Sequence, residues 1–371
     1  MFCEPSRLVS NRQLIIGCLS IFSMKKLKAI LLKLATKKTT SPIFDKNPHT
    51  FLFLRYDRIG DLIVSLPLVR SLKQLFPKTK MVILASKSNE AVASYSELFD
   101  EIIVKPPNST FRWLVILLRL RRRKINVVFD LNHSVAPHAL LVCLVVKPNH
   151  VASPYKDGRW GVKGTELGIF DIMPSRDSMG YARPIAETYL DIARILGCST
   201  KNSLPYPLDP RPVITKRTKI IFLNHRGSRP NMRITDHDVL QITEKLRTEA
   251  PSYAVVIAPE SQDYPHLKVL LAGQKNVALQ PPTPTVIAAI KLIKESSLVI
   301  TPDTAIVHIA SAFSKPLIAI YANQSELFDQ WRPLNSGPTR ILFSKEAKSL
   351  IGYDSNELIR YVGEFAKVHL T

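Results

Sequence analysis

Four short stretches of this 371-residue chain combine residue types that can act on a polyanionic substrate. In RYDRIGD, residues 55–61, Gly60 permits a tight turn and Asp61 falls at the start of a helix. There Asp61 either caps backbone N–H groups or faces a cleft as a carboxylate able to take a proton from a hydroxyl nucleophile. NHRGSRPNMR, residues 224–233, holds three arginines, a glycine and a serine; guanidinium forks and exposed backbone donors suit phosphate oxygens, and a solvated basic turn is the alternative. In TPDTAIVHIASAFSKP, residues 301–316, Asp303 and Thr304 can cap a helix whose N-terminus is a ready phosphate site, with His308 one turn along as a further donor or as a buried structural residue. APES, residues 258–261, ends a strand, where Glu260 can accept hydrogen bonds from ribose hydroxyls or stand idle in solvent.

The elements that must position these loops are legible from periodicity. FLFLR (51–55), KMVILA (80–85), EIIV (101–104) and NVVFD (126–130) read as buried strands, with helical spacing between them and a helix over residues 61–76. KIIFL (219–223), AVVIA (254–258), LVIT (298–301) and PLIAIY (316–321) repeat the pattern. Strands alternating with helices imply parallel sheets covered on both faces, so the fold class is α/β, with two doubly wound Rossmann-like domains facing across a cleft. The expected boundaries are a basic leader over 1–49, an N-terminal domain over 50–202, a Pro-rich linker over 203–218 and a C-terminal domain over 219–371, whose last helix is read as packing back on the N-terminal domain.

Composition narrows the classes. The chain has 51 Lys and Arg against 30 Asp and Glu, a formal net charge of +21, and 46% hydrophobic residues; two packed cores and a polyanionic neighbour follow, whether nucleic acid, an anionic membrane or a phosphorylated substrate. Cys3, Cys18, Cys143 and Cys198 lack metal-ligand or disulfide-framework spacing, which fits a reducing cytoplasm. No G-x-G-x-x-G, Walker loop, H-E-x-x-H, G-x-S-x-G or DxD-type motif is present, so dehydrogenase, P-loop, zincin and ordinary hydrolase readings lose their support. No cofactor or metal is expected.

Residues 14–22 form an apolar run too short to cross a bilayer, a signal peptide being the sharper alternative and Met24 an alternative start. Residues 24–38, MKKLKAILLKLATKK, have the composition of a basic helix able to lie on an anionic membrane, or of a soluble leader. Residues 111–124, FRWLVILLRLRRRK, read as a helix with an apolar body and a basic end that includes Arg121, Arg122 and Arg123; it faces a membrane or polyanion, or is buried with a solvated end.

RYDRIGDLIVSLPLVRSLKQLFP (55–77) and TPDTAIVHIASAFSKPLIAIYA (301–322), with DLN (130–132), ETYLDIARILG (187–197) and NHRGSRPNMR between them, resemble the ADP-heptose:lipopolysaccharide heptosyltransferase family, glycosyltransferase family nine, over residues 50–365. The resemblance implies a GT-B fold and an inverting, metal-independent transfer from a nucleotide-diphosphate sugar, ADP-heptose, to a phosphorylated glycolipid of the lipopolysaccharide core. It implies Asp61 as base, Glu260 as ribose contact, Asp303, Thr304, Ala305 and His308 as the pyrophosphate turn, and Ser228 as a hydroxyl on the phosphate loop. Arg58 and Asn132 fall on the acceptor side, with Arg121 to Arg123 toward the membrane. Three departures stand out: Met232 occupies a lysine position of some members, leaving Arg229 or Arg233 to supply that charge; Ala305 replaces a glycine; and His225-Arg226-Gly227 stands in place of a His-Pro-Gly pattern. The implied location is cytoplasmic, peripheral on the inner face of the membrane. The rivals are a GT-B transferase using another nucleotide sugar for capsule or O-chain, and a non-catalytic polyanion-binding protein; nucleic acid is not expected, since no known motif for it is visible.

Overall fold

The computed structural model describes residues 48–370 apart from 108, 157, 160, 175–182, 202–203, 212–217, 228 and 284. The expectations for the basic leader, its apolar run, Met24 and Ser228, and for much of the linker, lie outside the described residues.

The chain runs β1 (Thr50–Arg55), α1 (Ile59–Leu75), β2 (Lys80–Ala85), α2 (Glu90–Tyr95), β3 (Glu101–Val104), α3 (Thr110–Arg121), β4 (Val127–Asp130), α4 (Pro137–Val146), β5 (His150–Ala152) and α5 (Ile185–Ile195). It continues through β6 (Ile220–Leu223), α6 (Asp236–Glu249), β7 (Ala254–Ile257), α7 (Tyr264–Leu270), β8 (Val277–Leu279), α8 (Ile287–Glu295), β9 (Leu298–Pro302), α9 (Ala305–Ala312), β10 (Leu317–Tyr321), α10 (Ser325–Trp331), β11 (Thr339–Phe343) and α11 (Ser355–His369). The first sheet has the order β3-β2-β1-β4-β5 and the second β11-β10-β9-β6-β7-β8, every pair parallel. Strand order therefore reverses between β1 and β4 in one sheet and between β6 and β9 in the other. At such switch points the loops leaving the carboxyl ends splay to opposite faces and open a crevice. Three of the four stretches that could do chemistry leave β1, β6 and β9, the strands at these points, and the fourth, residues 258–261, leaves β7.

Side-chain alternation along β1 shows how the layers form. Phe51 and Phe53 face one side, where Phe129 stacks on Phe53 at 4.8 Å and α1 and α5 cover them; Leu52 and Leu54 face the other, under Trp113 and Leu117 of α3 and Val142 of α4. The α1 face does not end at the first half. Its cluster continues through Val307 and Ala310 of α9 to Phe222 and Val299 of the second sheet, because α1 packs directly on α9. An expected open cleft is thus closed along one side by a shared apolar core.

Several expectations need correction. The helix after β1 begins at Ile59, two residues earlier than its spacing suggested, with Arg58 at the N-cap and Asp61 in the first turn, so Asp61 is not the cap. Gly60 lies inside that turn. Its missing side chain matters for approach: a Cβ there would stand 3.3 Å from His308 Cδ2 and 3.7 Å from Ala305 Cα. The final helix, read as returning to the N-terminal domain, instead packs on α6, burying Val362, Phe365 and Ala366 in the second half's own core. The helix over residues 111–124 ends at Arg121, and Lys124 takes a positive φ of 51°. The Pro-rich connection is no free tether: Tyr206 and Leu208 sink into the shared core, and Asp209 accepts from Tyr95 Oη at 2.7 Å and from Lys294 Nζ at 3.0 Å, tying α2 to α8.

Candidate active site where two switch points meet

Arg55, the last residue of β1, organises the first half of the site. Its guanidinium is 2% exposed and donates to the Asp61 carbonyl at 2.8 Å, the Asp57 carboxylate at 3.0 Å, the Leu131 carbonyl at 2.9 Å and Tyr189 Oη at 2.8 Å. Asp61 Oδ1 lies 3.5 Å from Nη2 of the same group. One buried cation thereby fixes the loop after β1 to the loop after β4 and to α5. Burial pushes the Asp57 carboxyl up to about 6 although Arg55 pulls it down, with Asp61 and Asp130 adding like charge.

Beneath this hub Asp130 ends β4 and pairs with Lys156 at 2.8 Å, both side chains at most 1% exposed. Lys156 also donates to the carbonyls of Asp130 and Asn132, and Asn132 Nδ2 reaches Asp130 Oδ1 at 2.6 Å. Asn132 is thus locked at the rim of the crevice. His133 Nε2 lies 3.0 Å from Tyr189 Oη; burial, then Arg55 and Lys156, hold its pKa down near 3, so the ring is neutral at pH 7.

The second half uses the backbone. Thr304 is the N-cap of α9 and its hydroxyl accepts from Ile306 N at 3.1 Å, while Asn224, following β6, donates to Thr301 Oγ1 at 3.0 Å. The positive end of α9 therefore opens at the β6/β9 switch point, where an anion is stabilised by unpaired N–H groups and the helix dipole. Asp303 precedes it. Burial raises its carboxyl to about 6, and the opposing influences are Arg58 from the first half and Arg229 from the second. Two exposed arginines from different halves thus converge beside the start of α9.

The loop after β6 is a tight hairpin: Arg226 bridges Arg233, and Gly227 N donates to Met232 O at 2.5 Å. A Cβ on Gly227 would lie 2.7 Å from Met232, so glycine serves close approach here. Met232 is 8% exposed and belongs to the second core. Asp263 takes both 2.7 Å contacts of Arg226 and stands 3.5 Å from Arg233, leaving Arg229 at the hairpin tip as the arginine directed toward Asp303. Glu260 is exposed and takes a hydrogen bond from Gln262 Nε2. His308 is 4% exposed, faces Tyr206 edge-on at 5.8 Å, and burial lowers it to about 4; it sits under Gly60 in the junction.

The starts of α1 and α9 abut at Gly60 and Ala305, which sets the Asp61 turn against the Thr304 turn. The structure brings Arg58, Asp61, Arg229, Asp303, Thr304 and Ala305 to one place, and sets Asn132 on the adjacent loop after β4. Arg121, Arg122 and Arg123 lie away from it, at the far end of α3. Arg55, Asp57, Tyr189, Lys156 and Asp263 were missed, because single polar residues in apolar surroundings carry no periodic signal; only the pairing of Arg55 and Asp57 within RYDRIGD hinted at them.

A helix start that carries a carboxylate thus abuts a helix N-terminus from the other half, an arrangement suited to moving a group off a phosphate. Residues 211–355 match the model of glycosyltransferase family 9 (heptosyltransferase). The chain resembles glycosyltransferase family 9 through its second half. It is 23% identical over 331 residues to the lipopolysaccharide core heptosyltransferase OpsX of Haemophilus influenzae, covering 85% of this chain and 91% of that one. The solved E. coli ADP-heptose lipopolysaccharide heptosyltransferase II superposes with a TM-score of 0.65 at 18% identity, over 85% of this chain and 98% of its own. E. coli heptosyltransferase WaaC with ADP gives 0.65 at 14%, over 85% and 99%. The fold of the chain is accordingly GT-B. Among the described residues no group of three or more His, Cys, Asp or Glu side chains is placed to hold a metal ion.

Proposed function

We propose that this glycosyltransferase transfers heptose from ADP-heptose to a phosphorylated glycolipid of the lipopolysaccharide core, with inversion and without a metal. The observation that carries the reading is the junction of the two helix starts, Gly60 against Ala305. It sets one carboxylate, Asp61, beside one anion-binding turn, Thr304. The acceptor hydroxyl gives its proton to the Asp61 carboxylate as its oxygen forms a bond to the anomeric carbon; the bond from that carbon to the diphosphate breaks on the opposite face, and the nucleoside diphosphate leaves. Arg55 holds the Asp61 turn. The N-terminus of α9, Thr304, and the arginines Arg58 and Arg229 stabilise charge growing on the leaving phosphate.

In this reading Glu260, just past the end of β7 beside β6, contacts the ribose, and Asn132 and Arg58 serve the acceptor side. His308 acts by supporting the junction. The name of the relative OpsX supports the lipopolysaccharide core as acceptor, and that of the E. coli enzyme supports ADP-heptose as donor. The domain division at residues 203–218 and action at the inner face of the cytoplasmic membrane belong to the same reading.

The test is turnover with ADP-heptose and a heptose-free core glycolipid, followed by mass spectrometry, with the anomeric configuration of the product read by NMR. A mass gain of one heptose, an inverted anomeric centre and undiminished rate in chelator are expected. Transfer from a different nucleotide sugar but none from ADP-heptose would reassign the donor.

A further inference from the structure

The outer layer of the first sheet shows a face that the site does not use. α3 carries two apolar stripes. Trp113, Leu117 and Leu120 are buried against the sheet, whereas Phe111 is 77% exposed, Leu114 48% and Leu118 44%. At 100° per residue, positions 111, 114 and 118 form a second stripe, centred about 120° round the helix from 113, 117 and 120. α4 lies beside α3 and adds Leu141 and Leu144, also exposed. Five of the twelve exposed large apolar side chains among the described residues therefore share one helix pair. A helix that is apolar on both sides ordinarily has both sides covered.

The charge around the stripe is one-sided. Residues 105–147 contain eight Lys or Arg and a single acidic residue, the buried Asp130. Arg123 pairs with Glu101 and Arg121 reaches the Val145 carbonyl, but the side chains of Arg119 and Arg122 are exposed. Because crossover helices run antiparallel to their strands, the start of α3 lies at the carboxyl edge of the sheet, the edge that carries Asp61 and Asn132. The basic end lies about 18 Å away along the helix axis.

We infer that the α3–α4 face docks on an anionic lipid bilayer, lying flat with Phe111, Leu114 and Leu118 among the acyl chains and the Arg119–Lys147 end in the headgroup layer. The inference deepens the proposed reaction by naming the surface on which a glycolipid acceptor is met. Charge complementarity selects the occupant. The chain's own residues 24–38 are basic and would be repelled by the arginines, and a second copy laid face to face would oppose like charge to like charge. An anionic bilayer matches both the apolar stripe and its basic border. No helix among the described residues is long and apolar enough to cross a membrane, so the contact is with the surface.

The test is co-sedimentation of the full chain with vesicles of phosphatidylcholine alone and of phosphatidylcholine with phosphatidylglycerol. The parent is compared with Phe111→Ser/Leu114→Ser/Leu118→Ser and with Arg119→Glu/Arg122→Glu. Binding only to the phosphatidylglycerol vesicles, and a fall of about tenfold or more in partition for each variant, is expected. Donor affinity and melting temperature of the variants should match the parent, since these side chains touch neither the site nor the core. Unchanged partition in both variants overturns the proposal and moves any binding to residues 24–38. Equal binding to the neutral vesicles overturns it too, as does a dimer in sedimentation velocity that the triple serine variant dissociates. Turnover on a delipidated, water-soluble acceptor reads the reaction apart from the lipid surface, so its absence counts against the proposed function and not against docking.

Discussion

The two switch points are built on opposite physical plans. The β1/β4 crevice of the first half rests on buried ionic side chains: Arg55 with Asp57 and Asp61, and Asp130 with Lys156. The β6/β9 crevice of the second half rests on the capped start of α9 and a hairpin held by Asp263, with Arg229 exposed at the hairpin tip. Buried pairs that satisfy one another fix geometry and resist disturbance, whereas exposed donors around a helix N-terminus are left available to a ligand. In the proposed reaction the first half therefore positions one carboxylate for the acceptor, and the second half offers charge to the donor.

If that contrast is right, first-half substitutions should fail in turnover or folding and second-half substitutions in donor affinity. The largest effect expected is at Asp61. Asp61→Asn removes the proposed proton acceptor and should lower kcat by about 10²- to 10⁴-fold, with the donor Kd, measured by calorimetry, within about twofold of the parent. A tenfold loss of donor affinity in that variant would place Asp61 on the donor side and end the division of labour.

Next comes Arg55→Met. It leaves two carboxylates, the Leu131 carbonyl and Tyr189 Oη without their shared donor, and should cost about 3 to 5 kcal/mol in urea unfolding. Arg55→Lys keeps the charge but loses the fork, and should retain part of that stability at reduced kcat. Arg229→Ala is the counterpart on the other side. Its unfolding free energy should stay within about 0.5 kcal/mol of the parent, while donor Kd rises about tenfold through loss of a charged hydrogen bond. Unaltered donor affinity there would leave Asp263-bound Arg226 and Arg233 as the only arginines of the loop, both already committed.

The same contrast explains what could be read from sequence. KMVILA and EIIV form the strands their apolar runs indicated, with the bounds expected, and the four loops sit at strand ends as a doubly wound sheet requires. β5, β8 and β11 were not foreseen: β5 and β8 have three residues each, and β11 is an edge strand largely open to solvent, so none presents a sustained apolar run. In the site, backbone devices were legible because Thr304 before an apolar helix is a capping signal. The ionic hub was not, since Arg55 meets Leu131 and Tyr189 across 76 and 134 residues, and no local pattern encodes such a meeting. Met232 shows the same limit: set beside Arg233 in sequence, it looked like a missing phosphate ligand, but the hairpin turns it into the core.

Thr304→Ala tests the backbone plan at smaller scale. Loss of the hydroxyl that accepts from Ile306 N should cost about 1 kcal/mol of stability and weaken donor binding, and Thr304→Ser should keep both. Were Thr304→Ala to bind the donor as tightly as the parent, the helix N-terminus would not be the phosphate site.

The smallest effect separates the two halves by pH. Burial raises both Asp57 and Asp303 to about 6, so in each case the folded chain holds a proton that the unfolded chain has already released above the usual carboxylate range. Stability contributed by each group is therefore present at low pH, falls as pH climbs from about 4 to about 6, and is constant above. Asp303→Asn cannot ionise, and should flatten that part of the stability profile and gain about 1 kcal/mol over the parent at pH 7 once solvent screening is allowed for. Asp57→Asn removes the same penalty but also takes a charged partner from buried Arg55, so its gain should be cancelled or reversed. Equal gains in the two variants, read from urea midpoints between pH 4 and pH 7, would show that Arg55 does not depend on its carboxylates and that the first crevice is no more ionic in its construction than the second.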